Sequence, residues 1–359
     1  MFSPRTVFVL GAGASVDLNL PSGDDLRKDL MKVLERDSVH ARFCNEQFNG
    51  AILQLCKNRG GHDWTMHFEE FADAAVRIRY ALPMTVSIDN LLHTHRKDRV
   101  MIQVGKIAIA TVILEKEASS YLTPKIPSKR DRIEVAVTNT ATMAKTWYLP
   151  LMRLLATGRT VEEIGAIFQN VAFVVFNYDR CLEHFLVNAI INYFNVSSRV
   201  AAETVNQLNI IHPYGQVGYL GWQNHPPDGV VSSFGRSEGN LIEIAEQILT
   251  FTESANEGVI RETKNLITGA QTLVMMGFGF LPQNMELLRV DHRSEITRVF
   301  VTTLGIGDDD VEIVIAEIRE MIQRRPTQET GGRMDRFQPF VERGTCRALM
   351  DHHWLRLTR

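Results

Sequence analysis

Five short apolar runs alternate with longer amphipathic stretches along this chain of 359 residues. Consecutive apolar residues, many of them β-branched, are typical of strands buried on both faces of a parallel sheet. The five predicted strands are Val7–Leu10, Val171–Phe176, Leu208–Ile211, Thr272–Met276 and Arg298–Thr303. Because amphipathic helical stretches separate them, the pattern predicts an α/β fold with a doubly wound, mainly parallel, Rossmann-like sheet.

A long region without strand character lies between the first two predicted strands. Its apolar residues recur at helical spacing and predict helices over 24–58, 65–82, 86–122 and 136–169, with a Pro-containing basic loop or connector at 123–135. The pattern therefore predicts a Rossmann-like domain made of residues 1–40 and 165–325. It also predicts an inserted helical domain at 40–165 and a C-terminal tail at 326–359.

Composition and charge exclude several classes of protein. The formal net charge of −3 gives no support for binding nucleic acid through a basic surface. The four cysteines include no CxxC pair, so neither a zinc ribbon nor a disulfide framework is indicated, and no metal site is expected. Scattered thiols suit a reducing cytoplasm, and the N-terminus has no signal-peptide layout. The longest apolar run, of about eight residues, is too short to span a membrane.

The phrase Gly11–Ser15 follows the first predicted strand and consists of small residues. Glycines let the backbone turn tightly and approach a ligand, and the backbone N–H groups of such a turn can point at a phosphate. A tight turn inside an α/β core gives the same sequence pattern. Ser22 and Asp25 then predict the start of a helix, with Ser22 as its cap.

Three further predicted strands also end in polar or glycine phrases. They are Asn177–Arg180 (NYDR), His212–Gly215 (HPYG) and Gly277–Phe280 (GFGF). Open α/β sheets bind ligands at the carboxyl ends of their strands. We therefore expect the four phrases to converge on one crevice.

These four phrases, in this order, resemble the motifs of the Sir2 family, in its bacterial Sir2-like branch. GAGAS with the nearby Pro21 resembles the phosphate loop, and FNYD resembles the family's Asn-x-Asp motif. HPYG stands where the family usually has a histidine–glycine pair, and GFGF resembles the ribose-side glycine phrase. The resemblance implies an NAD-binding Rossmann-like fold in which the helical insertion replaces the smaller domain of the family.

The resemblance also implies a role for each matching residue. Gly11, Ala12, Gly13 and Ser15 would hold the pyrophosphate, together with Pro21 nearby. Tyr214, Gly215, Gly277 and Phe278 would complete the cofactor-binding set. Asn177 would orient the carboxamide or a water, and Asp179 would stabilise the positive charge that develops on the ribose.

The catalytic base has two candidates, because Tyr214 occupies the position of the family's histidine. His212 lies two residues earlier and has a side chain that titrates near neutrality. Positions two apart share one face of a strand, so either residue could fill the role. The residues alone also allow Asn177 and Asp179 to be turn formers and His212 to be a core histidine.

The resemblance implies a zinc-free NAD+ hydrolase that releases nicotinamide and ADP-ribose, acting in antiphage defence by NAD depletion. Two alternatives are a regulatory subunit that senses NAD or ADP-ribose without turnover, and a zinc-free protein deacylase. Such an enzyme needs gating, so we expect a homo-oligomer, or a co-encoded ATPase or nuclease as partner. The apolar stripes of the helical insertion are the expected contact surface.

Overall fold

The computed structural model describes residues 2–37, 40–59, 64–123, 140–238, 240–251, 253, 257–323 and 337–359. Apart from Thr123, the loop predicted at 123–135 lies outside these residues.

A six-stranded, fully parallel sheet forms the centre of the fold. The strands of the described chain are β1 (Thr6–Leu10), β2 (Arg36–Asp37), β3 (Arg42–Phe43), β4 (Val171–Val175), β5 (Asn209–Ile211), β6 (Thr272–Met276), β7 (Arg298–Thr302) and β8 (Gln338–Glu342). All except β2 and β3 belong to the large sheet, in the order β5-β4-β1-β6-β7-β8. Counted along the chain, this is the order 3-2-1-4-5-6 of the doubly wound Rossmann fold. The predicted α/β fold class and all five predicted strands are confirmed.

The direction of winding reverses between β1 and β6. From β1 the chain adds β4 and β5 on one side, and it then crosses to add β6, β7 and β8 on the other side. Ligands of doubly wound sheets bind at such a switch point, outside the carboxyl ends of the strands. Gly11 and Gly277 therefore begin the two loops that flank the expected crevice.

Helices cover the sheet. In the described residues they are α1 (Gly23–Val33), α2 (Glu46–Asn58), α3 (Trp64–Ala81), α4 (Ile88–Thr94), α5 (Arg99–Ser119), α6 (Thr140–Met143), α7 (Tyr148–Ala156), α8 (Cys181–Phe194), α9 (Ser198–Val205), α10 (Leu241–Glu246), α11 (Glu257–Gly269), α12 (Pro282–Leu288), α13 (Asp308–Met321) and α14 (Cys346–Thr358). Short 3-10 helices lie at Ala12–Ala14, Val16–Leu18, Leu82–Met84 and Val161–Ala166. None of the helices described is long and apolar enough to cross a membrane.

Three of the predicted helices were wrong in detail. The stretch 86–122 forms α4 and α5, with a break after Thr94, and in 136–169 the helix α7 ends at Ala156. The helix predicted over 24–58 is interrupted, because α1 ends at Val33 and the β2–β3 hairpin precedes α2. Asn45 starts the new helix, since its side chain accepts a hydrogen bond from the N–H of Phe48 at 2.9 Å. The residues assigned to a tail contribute β8 at the sheet edge, where Phe340 stacks on Phe300 with ring centroids 4.6 Å apart.

Alternate residues of the strands point to two separate cores. Val7 and Val9 pack on one face of the sheet, and Phe8 and Leu10 pack on the other. The first core includes the buried faces of α2, α3 and α5, and the second includes those of α7, α8 and α14. Burial on both faces explains why the central strands are continuously apolar.

Candidate functional site

A cavity of about 280 Å³ opens at the carboxyl ends of the strands, at the switch point. This volume is close to the lower end of ligand pockets. Nine of the twelve predicted site residues line the cavity: Gly11, Ala12, Gly13, Pro21, Asn177, Asp179, Tyr214, Gly277 and Phe278. All four predicted phrases therefore reach the same crevice, as the sequence predicts. Ser15, His212 and Gly215 are not among the lining residues.

Close packing of two loops explains three of these glycines. A Cβ on Gly11 would lie 2.5 Å from the carbonyl oxygen of Gly277, and one on Gly13 would lie 2.8 Å from the Gly277 Cα. Gly277 has a φ of 58°, and its Cβ would meet the Ala14 nitrogen at 2.1 Å. The glycines thus let one backbone approach another, which agrees with the alternative of a tight turn inside the α/β core.

Glycines with open space in front of them are found elsewhere on the cavity wall. Gly23, at the start of α1, and Gly279 both line the cavity, and a Cβ on either would meet no atom within 4 Å. These two positions, which are not among the predicted site residues, leave room for a ligand beside the backbone.

Most backbone N–H groups of the first loop already have acceptors. Gly11 donates to Met276 O and Gly13 to Gly277 O, while Ala14 and Ser15 donate to carbonyls inside the loop. In the described chain, Ala12 is the residue of this loop whose N–H has no backbone acceptor. The sequence predicts several free N–H groups in this loop, but among its described residues the Ala12 N–H alone has no backbone acceptor.

Ser15 links the two polar side chains that follow β4. Its hydroxyl donates to Asp179 Oδ2 at 2.9 Å, and its oxygen accepts from the Asn177 amide at 2.9 Å. Asp179 Oδ1 also accepts from the Cys181 N–H at 3.1 Å, at the start of α8. Burial, followed by the charge of Glu117, raises the pKa of Asp179. Ser15 therefore acts on the site by holding these side chains in place.

Asn177 lines the cavity and keeps one side-chain acceptor without a partner among the described residues. The residue is buried, its Nδ2 is engaged by Ser15, and its Oδ1 has no hydrogen-bond partner among the described residues. A buried acceptor without a partner is costly in a folded protein. A ligand that brings an N–H or O–H donor to Asn177 would remove that cost.

The structure places His212 away from the cavity. β5 ends at Ile211, and His212–Gly215 form a tight turn in which the Gly215 N–H donates to His212 O at 3.0 Å. The expectation that His212 and Tyr214 share one face of a strand is therefore wrong. Tyr214 lines the cavity, whereas His212 lines a separate groove of about 320 Å³.

Gly215 also has a structural role in this turn. Its φ is 70°, and a Cβ there would lie 1.9 Å from Gln247 O, on the segment with which it forms a bridge. The neighbouring Tyr214 O accepts from the Leu249 N–H at 2.9 Å. This close backbone pairing fixes the loop that carries Tyr214.

Two acceptors surround the His212 ring. Nδ1 lies 3.0 Å from the backbone oxygen of Asn177, and Nε2 lies 2.7 Å from Glu183 Oε1. Burial lowers the pKa of His212, but the charge and hydrogen bond of Glu183 outweigh it, so the pKa is raised overall.

The helical insertion supplies a carboxylate that is not among the predicted site residues. Asp89 lies in the first turn of α4, lines the cavity and accepts a hydrogen bond from the hydroxyl of Tyr178. Burial raises the pKa of Asp89 despite that hydrogen bond. The four phrases at the strand ends gave no signal for Asp89, because it belongs to an ordinary helix start, Ser87-x-x-Asn90.

The remaining polar groups of the wall come from α1 and α12. Arg27 lines the cavity and pairs with Asp24 at 2.5 Å, and its guanidinium also donates to Thr85 O. Asn284 accepts from the Tyr214 hydroxyl at 2.6 Å. Burial raises the pKa of Tyr214, so the phenol is neutral and donates. The cavity therefore combines one cation with two carboxyl groups, Asp89 and Asp179.

In the part of the chain that the structure describes, no group of three His, Cys, Asp or Glu side chains could hold a metal ion. No protein-family model matches the chain, and no curated protein matches it.

Proposed function

We propose that the cavity binds NAD+ and hydrolyses its nicotinamide–ribose bond, releasing nicotinamide and ADP-ribose. One observation carries the proposal: residues from all four strand-end phrases, which resemble the Sir2 motifs, line one cavity at the switch point of a Rossmann-type sheet. Dinucleotides bind at this place in doubly wound folds.

The wall near β1 suits the pyrophosphate. The N-terminus of α1 borders the cavity at Gly23, and helix N-termini attract anions through their unpaired N–H groups and the helix dipole. The Ala12 N–H and the Arg27 guanidinium add two donors. With the loop's other N–H groups engaged, Arg27 compensates part of the pyrophosphate charge in this proposal, because it also pairs with Asp24.

The wall near β4 suits the reacting end of the substrate. Asn177 Oδ1 accepts from the nicotinamide carboxamide or a ribose hydroxyl. Cleavage of the glycosidic bond develops positive charge on the sugar, and the carboxylate of Asp179 stabilises it. Asp89 takes the proton from the attacking water, because its raised pKa suits a general base better than that of an exposed aspartate. NAD+ and water then give nicotinamide, ADP-ribose and one proton.

The proposal is tested by incubating the purified protein with NAD+ and measuring nicotinamide by chromatography and mass spectrometry. Asn177→Ala should abolish the release and leave the fold intact, since it removes a side chain at the end of a strand. Asn58→Ala, on an exposed helical position, is the matched control. Full activity of Asn177→Ala would overturn the role of Asn177.

A second function is binding without turnover, as in a subunit that senses NAD or ADP-ribose. One observation favours it: no histidine is among the cavity-lining residues described. Calorimetry separates the two functions. Binding of NAD+ without release of nicotinamide, in the presence of candidate partners, would favour the sensor.

We further propose that the activity serves antiphage defence through NAD depletion and is gated by self-association or by a partner such as an ATPase or a nuclease. The motif resemblance supports this role. Exposed apolar side chains of the helical insertion, among them Tyr80 and Met84, support a contact surface there.

A further inference from the structure

We propose that His212 is held as an imidazolium and acts as a positioning residue, which fixes the main chain of Asn177 from behind the cavity. The inference rests on the proposed function, because it concerns the residue that the Sir2 resemblance implies as a base. It assigns the opposite protonation state and a different task.

The hydrogen-bond geometry carries the first step. A backbone carbonyl can accept a hydrogen bond but cannot donate one, and the same holds for an ionised carboxylate. Since Nδ1 faces Asn177 O at 3.0 Å and Nε2 faces Glu183 Oε1 at 2.7 Å, both ring nitrogens must donate. An imidazole with a hydrogen on each nitrogen carries a full positive charge.

The position of Glu183 places the shared proton on the histidine. Glu183 lies in the first turn of α8, where the helix dipole stabilises an anion. A neutral histidine with the same contacts would require the proton to sit on this carboxylate, against the stabilisation by the helix dipole.

The other charged groups near the ring also favour the cation. Asp179 precedes α8 and raises the pKa of His212 through its charge, and Glu262 of α11 lines the same groove. Tyr219 borders the groove as a neutral phenol, because burial raises its pKa. With side-chain exposures of 8% for His212 and 2% for Glu183, water screens the pair only weakly.

The role of the imidazolium follows from its contact with Asn177. The imidazolium binds the main chain of Asn177, and the side chain of the same residue enters the cavity network with Ser15. Loss of the proton on Nδ1 would replace a charge-assisted hydrogen bond by a repulsive contact between two acceptors. The side-chain amide of Asn177 would then no longer be held in one orientation.

The two roles of His212 predict opposite changes in activity as the pH rises. A base must be neutral, so activity would rise as His212 loses its proton. A positioning imidazolium predicts that NAD affinity and activity fall as the pH rises through the His212 pKa. The expected loss is on the order of tenfold, as for one charge-assisted hydrogen bond.

The variants are His212→Gln, which keeps an N–H donor but cannot titrate, and His352→Gln as control. His352 also pairs with a glutamate, at 2.7 Å from Glu342 Oε2, but it is exposed. His212→Gln should remove the alkaline limb of the profile and keep most of the affinity for NAD+. His352→Gln should leave the profile unchanged. Removal of an acid limb by His212→Gln would overturn the proposal.

A second measurement does not depend on NAD. Nitrogen-15 labelling of histidine reports whether both ring nitrogens carry hydrogen, and the His212→Gln spectrum identifies the signal. We expect an imidazolium that titrates above pH 6.5 and shifts downward in Glu183→Gln. A neutral ring at pH 6.5 would overturn the proposal. Absence of NAD binding with an imidazolium present would instead count against the proposed function.

Discussion

The guanidinium of Arg180 and the carboxylate of Glu117 lie 2.6 Å apart, and neither side chain has any exposed surface. Arg180 also donates to both the backbone oxygen and the hydroxyl of Ser232, and Glu117 accepts from the Gly235 N–H. The pair therefore joins the end of α5, in the helical insertion, to the start of α8, next to Asp179.

Removing one partner of this ion pair should destabilise the protein strongly. Arg180→Met leaves a buried carboxylate without its cation, which costs about 3–5 kcal/mol. Urea denaturation measures the loss. Arg199→Met breaks an exposed pair with Glu203 at 3.9 Å and should have little effect. Equal losses in both variants would contradict the structural role of Arg180.

Two neighbouring glycines should respond to alanine in opposite ways. Gly277→Ala should destabilise the fold by about 1–3 kcal/mol, because its Cβ meets the backbone of Ala14 and its φ is positive. Gly279→Ala should fold normally, since its Cβ enters open space, but should weaken NAD binding. Calorimetry of ligand binding, with thermal unfolding beside it, distinguishes them. Undiminished affinity in Gly279→Ala would place the ligand elsewhere.

Replacing the cavity carboxylate of α4 should lower turnover more than binding. Asp89→Asn removes the proposed base, so kcat should fall by about 10²–10⁴-fold while KM changes little. Because burial raises the pKa of Asp89, the acid limb of the wild-type profile should lie above the usual aspartate range. Asp73→Asn, on the exposed face of α3, is the matched control. Unchanged kcat in Asp89→Asn would exclude Asp89 as the base.

The His212–Glu183 pair should make stability depend on pH. The pKa of His212 is raised in the folded state, so its contribution is fully present below the unfolded value of about 6.5. The contribution disappears as the pH rises through the folded value. The difference in unfolding free energy between the wild type and His212→Gln should therefore shrink toward alkaline pH. A difference that grows would show that the pKa is lowered.

Self-association should depend on the helical insertion. Tyr80 is 72% exposed and Met84 is 83% exposed, which suits a surface that another chain covers. Light scattering should give a multiple of 40.7 kDa for the wild type and a smaller mass for Tyr80→Ser/Met84→Ser. Tyr193→Ser, on α8, serves as control. A wild-type mass near 40.7 kDa across the micromolar range would contradict this proposal.

The sheet could be predicted because its strands are buried on both faces. Each central strand is an uninterrupted apolar run, and parallel pairing places all the phrases after them at one edge. β8 was missed because its side chains are half-buried and Pro339 interrupts the pattern. Proline is tolerated there because the strand lies at the sheet edge.

The candidate site could be predicted only where it follows strands. The strands β4 and β5 are followed closely by Asn177, Asp179 and Tyr214. Asp89 instead lies on α4, and 89 residues separate it along the chain from its partner Tyr178. Local pattern carries no information about such a contact. His212 was misplaced because a turn, and not a strand, carries it, so the alternation of side chains no longer applies.

Alternate side chains of the strands pack into two separate cores. Substitutions at neighbouring strand positions should therefore loosen different layers of the molecule. Val9 contacts the layer that contains α5, while Phe8 contacts the layer that contains α8. Asp89 belongs to the first layer and Asn177 is held against the second through His212 and Glu183. Truncating Val9 should speed amide hydrogen exchange in α5 before α8, and truncating Phe8 should reverse that order.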